Sequence, residues 1–187
     1  FSYIVPMSGN LIKLATYMAQ YFLTRSAHLR GVHVVGEKLF EISGEFPQLL
    51  DWEEYGLRIQ VPEGATSEPC DIAIKAIVAG QFEFPEGTDL VSAVYAISVS
   101  KRLTKPVMLE IQHCVAITRE EQGRFLSFVR AQCNQPQLPY QFEPLDNGTF
   151  PPHSDYGKIE CKRFSCIATV RSHNPQQLTT GIVAIMI

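Results

Sequence analysis

Apolar and polar side chains alternate one by one in several short runs between residues 29 and 172. The clearest runs are Leu57–Val61, residues 71–78, residues 91–99 and Val107–Gln112. Successive side chains of a β-strand point to opposite faces, so this period of two places one face of each strand on a core and the other in solvent. The pattern predicts an all-β fold, an antiparallel β-sandwich. In the second run, the side chains expected to face the core are Ile72, Ile74, Ala76 and Val78.

Glycine and proline separate these runs where a sandwich needs turns. Pro62 and Gly64 predict one turn, residues 84–87 predict another, and Pro106 can open a strand, where a missing N–H is tolerated. The triplet at residues 147–149 has the form of a glycosylation acceptor, but Asn-Gly supplies the positive φ angles of a tight turn, and we favour the turn. Further strands are predicted at residues 125–129, 140–142 and 164–170, and a helical turn at residues 118–122.

The first 28 residues have a different pattern from the rest. Ser8 can cap a helix whose apolar side chains recur on one face as far as residue 23. We therefore divide the chain into an N-terminal helical extension at 1–28, a sandwich at 29–172, and a C-terminal strand or linker at 173–187 that we expect to be truncated. The sequence leaves open whether residues 1–28 pack on the sandwich or lie outside the domain.

Charge and cysteine content exclude several classes of partner. The formal net charge is −3 and the basic residues are scattered, which gives no basic field for nucleic acid or anionic lipid. The apolar residues 181–187 are far shorter than the roughly 20 residues that span a bilayer, so we expect no membrane insertion. Five cysteines at irregular spacing argue against a disulfide framework and predict reduced thiols in a cytoplasmic protein.

Two groups of cysteine and histidine are candidates for chemistry. A thiol needs a base within hydrogen-bond reach to act as a nucleophile, but neighbours on a strand point to opposite faces. We therefore interpret His113 and Cys114 as structural residues. Cys161 and Cys166, with His113 or His153, could ligate zinc. Their spacing lacks the paired short knuckles of structural zinc sites, so we predict no metal and no cofactor.

Ser165, which follows Phe164, is a third candidate. A serine after a strained peptide bond can attack the carbonyl of that bond and cut the chain once. The reaction needs a base for the hydroxyl proton, donors for the oxyanion and stored backbone distortion. His153 is the nearest upstream histidine. Taken alone, Ser165 is interpreted as a polar residue on the outer face of a strand, between Phe164 and Cys166 facing inward.

Four sequence segments combine into a resemblance to a known module. In chain order they are GLRIQVPEGA, IAIKAIVAG, DLVSAVYAIS and KPVMLEIQHC. The chain resembles the ZU-five (ZU5) domain of zonula occludens proteins, Unc-five netrin receptors, ankyrins and death-domain adaptors. The family's pattern falls on residues 57–65, 90–94 and 106–114. Ala93 and Gln112 stand where the family usually has proline, and residues 29–52 match only loosely.

The resemblance implies a β-sandwich that serves as a protein-interaction or regulatory module of a larger cytoplasmic signalling or scaffold protein. It implies no catalysis, no cofactor and no small-molecule substrate. The partners implied are a UPA or death domain of the same chain or a cytoskeletal protein such as spectrin. Some members cut themselves at a His-Phe-Ser sequence near the end of the domain. Because Phe164-Ser165 lies at about that place, with Arg163 instead of the histidine, the alternative function is a self-cleaving domain that cuts once there.

Overall fold

The computed structural model describes residues 29–132 and 138–173. The helix predicted at residues 8–23 and the C-terminal residues 174–187 lie outside the described residues. Within the described ranges the strands are β1 Val32–Ile42, β2 Gln48–Trp52, β3 Leu57–Val61, β4 Cys70–Gly80, β5 Phe82–Glu83, β6 Thr88–Leu90, β7 Val94–Val99, β8 Val107–Gln112, β9 Leu126–Ala131, β10 Tyr140–Gln141, β11 Glu143–Leu145, β12 Tyr156–Cys161 and β13 Cys166–Ser172. A 3₁₀ turn spans Glu53–Tyr55, and a short helix, α1, spans Glu120–Gly123.

Two antiparallel sheets pack face to face, and the predicted all-β sandwich is confirmed. Sheet A has the strand order β1-β4-β7-β13-β9-β11, with β6 also paired to β13. Sheet B has the order β12-β8-β3-β2. The strands β5 and β10 form a separate short parallel pair. Because β12 belongs to sheet B and β13 to sheet A, the loop at residues 162–165 crosses from one layer to the other.

The main core lies between the two sheets, as the period of two predicts. Ile59 and Leu109 from sheet B meet Ile74 and Tyr95 from sheet A, and these side chains are buried together with Phe128. The predicted inward faces of β3 and β8 are confirmed, since the members of both faces are at most 1% exposed: Leu57, Ile59, Val61, Val107, Leu109 and Ile111. Removing this much apolar surface from water is the dominant favourable contribution to folding.

A second apolar cluster covers the outer face of sheet A. The covering side chains, which we name the aromatic cover, are Phe82, Phe84, Tyr140 and Phe142, with the rings of Phe84 and Phe142 4.8 Å apart. The strand residues beneath them are Ile77, Val94, Ala96, Val129, Ala131, Cys166, Ala168 and Val170. The expectation that one face of every strand is wet is therefore wrong for the centre of sheet A, whose strands are buried on both faces.

One strand phase also differs from the prediction. Val78 was expected to face the core, but it is 62% exposed, whereas Ile77 keeps its alternate position and is buried beneath the aromatic cover. The pairing of β1 with β4 shifts register on either side of Val34, so Val35 and Val78 have no opposite residue. An unpaired residue of this kind disrupts the ladder locally and bends the strand, so Val78 is not held against the core, which is the physical reason for the error.

The predicted turns form where glycine or asparagine permits a positive φ. Gly64 has φ 73°, Gly87 has φ 71° and Asn147 has φ 68°. The backbone N–H of Ala65 donates to the Pro62 carbonyl at 3.1 Å, which closes the first of these turns. These conformations are the left-handed ones that Gly and Asn adopt most readily.

Candidate interaction surface and predicted site residues

The outer face of sheet B carries a row of alternating charges across its four strands. The register pairs Lys158 with Glu110, Glu110 with Arg58, and Arg58 with Asp51. Lys158 Nζ lies 3.1 Å from Glu110 Oε1, and Arg58 Nε lies 3.3 Å from Asp51 Oδ2. Opposite charges directly across neighbouring strands attract one another. The row is therefore neutralised within the sheet and presents little net charge to a partner.

Long side chains cover the centre of this charge row. The Glu110 side chain is only 7% exposed, and the Gln60 amide donates to its carboxylate at 2.7 Å. The Arg58 guanidinium lies 4.3 Å from the centre of the Tyr156 ring, a distance at which a cation is attracted to the ring face. Glu110 was expected to be wet because it alternates with buried residues. Its neighbours bury it instead, with its charge paired.

An apolar groove of about 460 Å³ adjoins the charge row. We name it the proline groove, because Pro47, Pro62 and Pro106 line it together with Leu49 and Met108. Leu49 is 60% exposed, and the neighbouring Phe46 is 56% exposed. Large exposed apolar side chains that cluster, rather than occurring singly, are typical of surfaces that bind other proteins.

Sequence reasoning missed the proline groove because Pro62 was interpreted only as part of a turn and Pro106 only as the start of a strand, while Pro47 was not interpreted. A signal was present in the pair Leu49-Leu50. Adjacent side chains on a strand point to opposite faces, so two leucines in succession require one of them to leave the core. The structure buries Leu50 to 6% exposure and leaves Leu49 outside.

His113 and Cys114 follow the end of β8 and differ in burial. His113 is 5% exposed and packs on the Phe150 ring, whereas Cys114 is exposed. Both ring nitrogens of His113 are buried without a hydrogen-bond partner, and burial lowers the pKa of this imidazole. The imidazole therefore makes no hydrogen bond to the Cys114 thiol.

The residues of the self-cleavage hypothesis do not meet in the structure. Ser165 does not lie within a strand as expected, because β13 begins one residue later. Its hydroxyl is buried without a hydrogen-bond partner, while its carbonyl accepts from the N–H of Ile97 at 3.0 Å. The Phe164 ring packs against the main core. No base therefore contacts the Ser165 hydroxyl among the described residues.

The two histidines weighed as bases lie at the far end of β12 from Ser165. His153 precedes this strand and is exposed, and its N–H donates to the Ile117 carbonyl at 2.7 Å. The N–H of His113 donates to the carbonyl of Asp155, the residue before the strand. At about 3.3 Å per residue, β12 alone extends about 17 Å before the chain turns toward Ser165.

The cysteines differ from the expectation of uniformly reduced thiols. Cys70, Cys114 and Cys161 are free, as predicted. Cys166 is disulfide-bonded, so the prediction is wrong for this residue. Burial raises the pKa of Cys161 to about 11, which disfavours the thiolate that zinc requires. Across residues 29–132 and 138–173, no group of three or more metal-ligating side chains comes together.

A comparison with models of known protein families finds a match. Residues 48–127 match the model of the ZU5 domain. This match supports the resemblance to the ZU5 domain that the sequence segments indicated. ZU5 domains are protein-interaction domains. The matched residues include Leu49, Val61 and Met108 of the proline groove, three of the four residues of the charge row, and the four sequence segments that carry the resemblance. A search of curated proteins finds no match. The described part of the chain has no helix with the length and hydropathy that a membrane crossing requires.

Proposed function

We propose that this ZU5-like domain is a non-enzymatic interaction or regulatory module of a larger cytoplasmic signalling or scaffold protein. The observation that carries the proposal is the uncovered outer face of sheet B. There Leu49 is 60% exposed, beside a groove that no other described segment fills. A domain whose role is to bind another protein needs such a surface, since exposed apolar clusters drive association.

The absence of assembled chemistry supports the non-enzymatic part of the proposal. A catalytic nucleophile needs a base within hydrogen-bond reach. Among the described residues, the Ser165 hydroxyl and both nitrogens of His113 have no hydrogen-bond partner. No hydrogen bond therefore links these candidate groups to one another.

The cytoplasmic part of the proposal is supported by the free thiols. Cys114 is both unpaired and exposed, which suits a reducing compartment. The disulfide at Cys166 argues in the other direction, since disulfides are rare in the cytosol. Fractionation of cells that express the tagged chain tests this part, and recovery in a secreted or membrane-enclosed fraction would overturn it.

The partners that the ZU5 resemblance suggests are a UPA domain, a death domain or a spectrin repeat. Isothermal titration calorimetry of the purified chain against each of these domains tests the interaction function. We expect saturable binding to at least one of them. Absence of binding to all three, with the ZU5 fold intact by circular dichroism, would contradict the proposal.

A further inference from the structure

We propose that the proline groove docks a protein segment in which an apolar side chain stands next to a lysine or arginine. This inference rests on the interaction function proposed above and names its site and the chemistry of its partner. The groove combines an apolar interior with a single charged side chain, the carboxylate of Glu160. Both features are needed to specify the partner.

The apolar requirement follows from what lines the groove. Met108 and Val61 contribute apolar atoms to it, and Val61 is only 1% exposed. Leu49 stands beside them with 60% of its surface in contact with solvent. Three prolines hold the backbone of the surrounding turns in fixed φ, so the groove is formed before a partner arrives and little ordering entropy is lost on binding. An apolar side chain of a partner would bury surface on all of these residues.

The basic requirement follows from the charge of Glu160. On β12 this residue is exposed and lies two positions from Lys158, on the same face. Lys158 is already paired with Glu110, and Glu160 forms no ion pair with any described residue. A cation brought by the partner is therefore the complement that the groove lacks, and an acidic segment would be repelled.

The other outer face does not offer an equivalent site. The aromatic cover already occupies sheet A, and the exposed Val78 there lies in a register shift rather than in a groove. The charge row on sheet B borders the proline groove and satisfies its own charges. A partner thus gains most by placing its apolar side chain in the groove and its cation at the Glu160 end.

Panning a phage-displayed library of random peptides against the immobilised full chain tests this inference. We expect the selected peptides to carry an apolar residue adjacent to lysine or arginine. Fluorescence anisotropy with a selected peptide should show about tenfold weaker binding to Leu49→Asp, because truncating or charging a central apolar contact removes a hot spot. Glu160→Lys should weaken binding by about fivefold, as expected for loss of one exposed ion pair.

Two matched variants serve as controls. Val78→Asp places the same charge at an equally exposed valine on sheet A, and Glu121→Lys reverses an exposed charge on α1. Both should bind the peptide as the unmodified chain does. Peptides that bind Leu49→Asp at full strength, a selection of acidic peptides, or no selection at all would overturn the docking proposal. The interaction function itself would survive if a UPA, death or spectrin domain still bound, and would fail only if none did.

Discussion

The two outer faces of this sandwich differ in whether other parts of the chain cover them. The outer face of sheet A lies under the aromatic cover, and its central strands are buried on both sides. The outer face of sheet B has no such cover among the described residues, and it carries a paired charge row beside the proline groove. One face therefore contributes to the stability of the domain, while the other is left uncovered by the described residues.

The contrast shows that alternation alone does not distinguish a wet face from a covered one. On sheet B, Glu110 and Arg58 occupy outward positions, where Glu110 pairs with Lys158 and Arg58 pairs with Asp51 across neighbouring strands. On sheet A, the outward positions of β7 are Val94 and Ala96. Their apolar side chains form no hydrogen bonds with water, so burying them under the aromatic cover is favourable. The composition of the outward positions, rather than their spacing, decides which face is free for binding.

The largest expected effect is a difference in stability between one substitution on each outer face. Phe142 is 5% exposed within the aromatic cover and contacts the rings of Phe82 and Phe84. Phe142→Ala should lower the free energy of unfolding by about 3–5 kcal/mol, the usual cost of emptying a buried aromatic site. Leu49→Ala on sheet B should change it by less than about 0.5 kcal/mol, as for other surface substitutions. Urea denaturation measures both values. Similar losses of stability in the two variants would contradict the assignment of a covered outer face to sheet A and an exposed one to sheet B.

A second prediction sharpens the comparison within sheet B by testing its inner against its outer face. Ile111 is fully buried, whereas its neighbour Gln112 is exposed. Ile111→Ala should cost about 2–5 kcal/mol because it leaves a cavity in the main core. Gln112→Ala should cost well under about 1 kcal/mol. Equal effects in chemical denaturation would show that the phase assigned to β8 is wrong.

The sequence alone predicted the sandwich and the phases of β3 and β8, because strict alternation leaves only one register in which the core stays apolar. It did not predict the aromatic cover. The near-continuous apolar runs that contain Ile77 and Val94 are typical of strands buried on both faces. They were interpreted as alternating, since the covering residues Phe82 and Phe142 lie far apart in the sequence.

The candidate site was harder to predict than the fold. The residues singled out for chemistry, His113, Cys161 and Ser165, were chosen for their reactive groups, and the structure places His113 at the opposite end of β12 from the other two. The proline groove contains no reactive group and forms only when loops from three strands come together. A register shift such as the one at Val78 has no signature in the local alternation, so the phase beyond it could not be predicted either.

A third prediction concerns how stability depends on pH through the buried His113 beside sheet B. Burial lowers the pKa of His113 below its ordinary value of 6.5, which the unfolded chain retains. Between the two pKa values the unfolded state binds more protons, so stability is complete above pH about 6.5 and falls as the pH drops below it. The variant His113→Leu lacks this titrating group. Its free energy of unfolding should therefore decline less than that of the unmodified chain between pH about 7.5 and about 5. Parallel declines in urea titrations of the two proteins would assign the acid sensitivity to other groups.

The smallest expected effect lies in the loop that links sheet B to sheet A. If Phe164-Ser165 cut itself, the purified chain would appear as two fragments, with a new amino terminus at Ser165. We expect a single intact mass, because the hydroxyl of Ser165 has no hydrogen-bond partner and both candidate histidines lie beyond the opposite end of β12. Intact-mass spectrometry of the unmodified chain and of Ser165→Ala should therefore give species that differ only by the substituted atom. A fragment starting at Ser165 that disappears in the variant would establish self-cleavage, and it would show that the link between the two sheets, rather than either outer face, is the functional site.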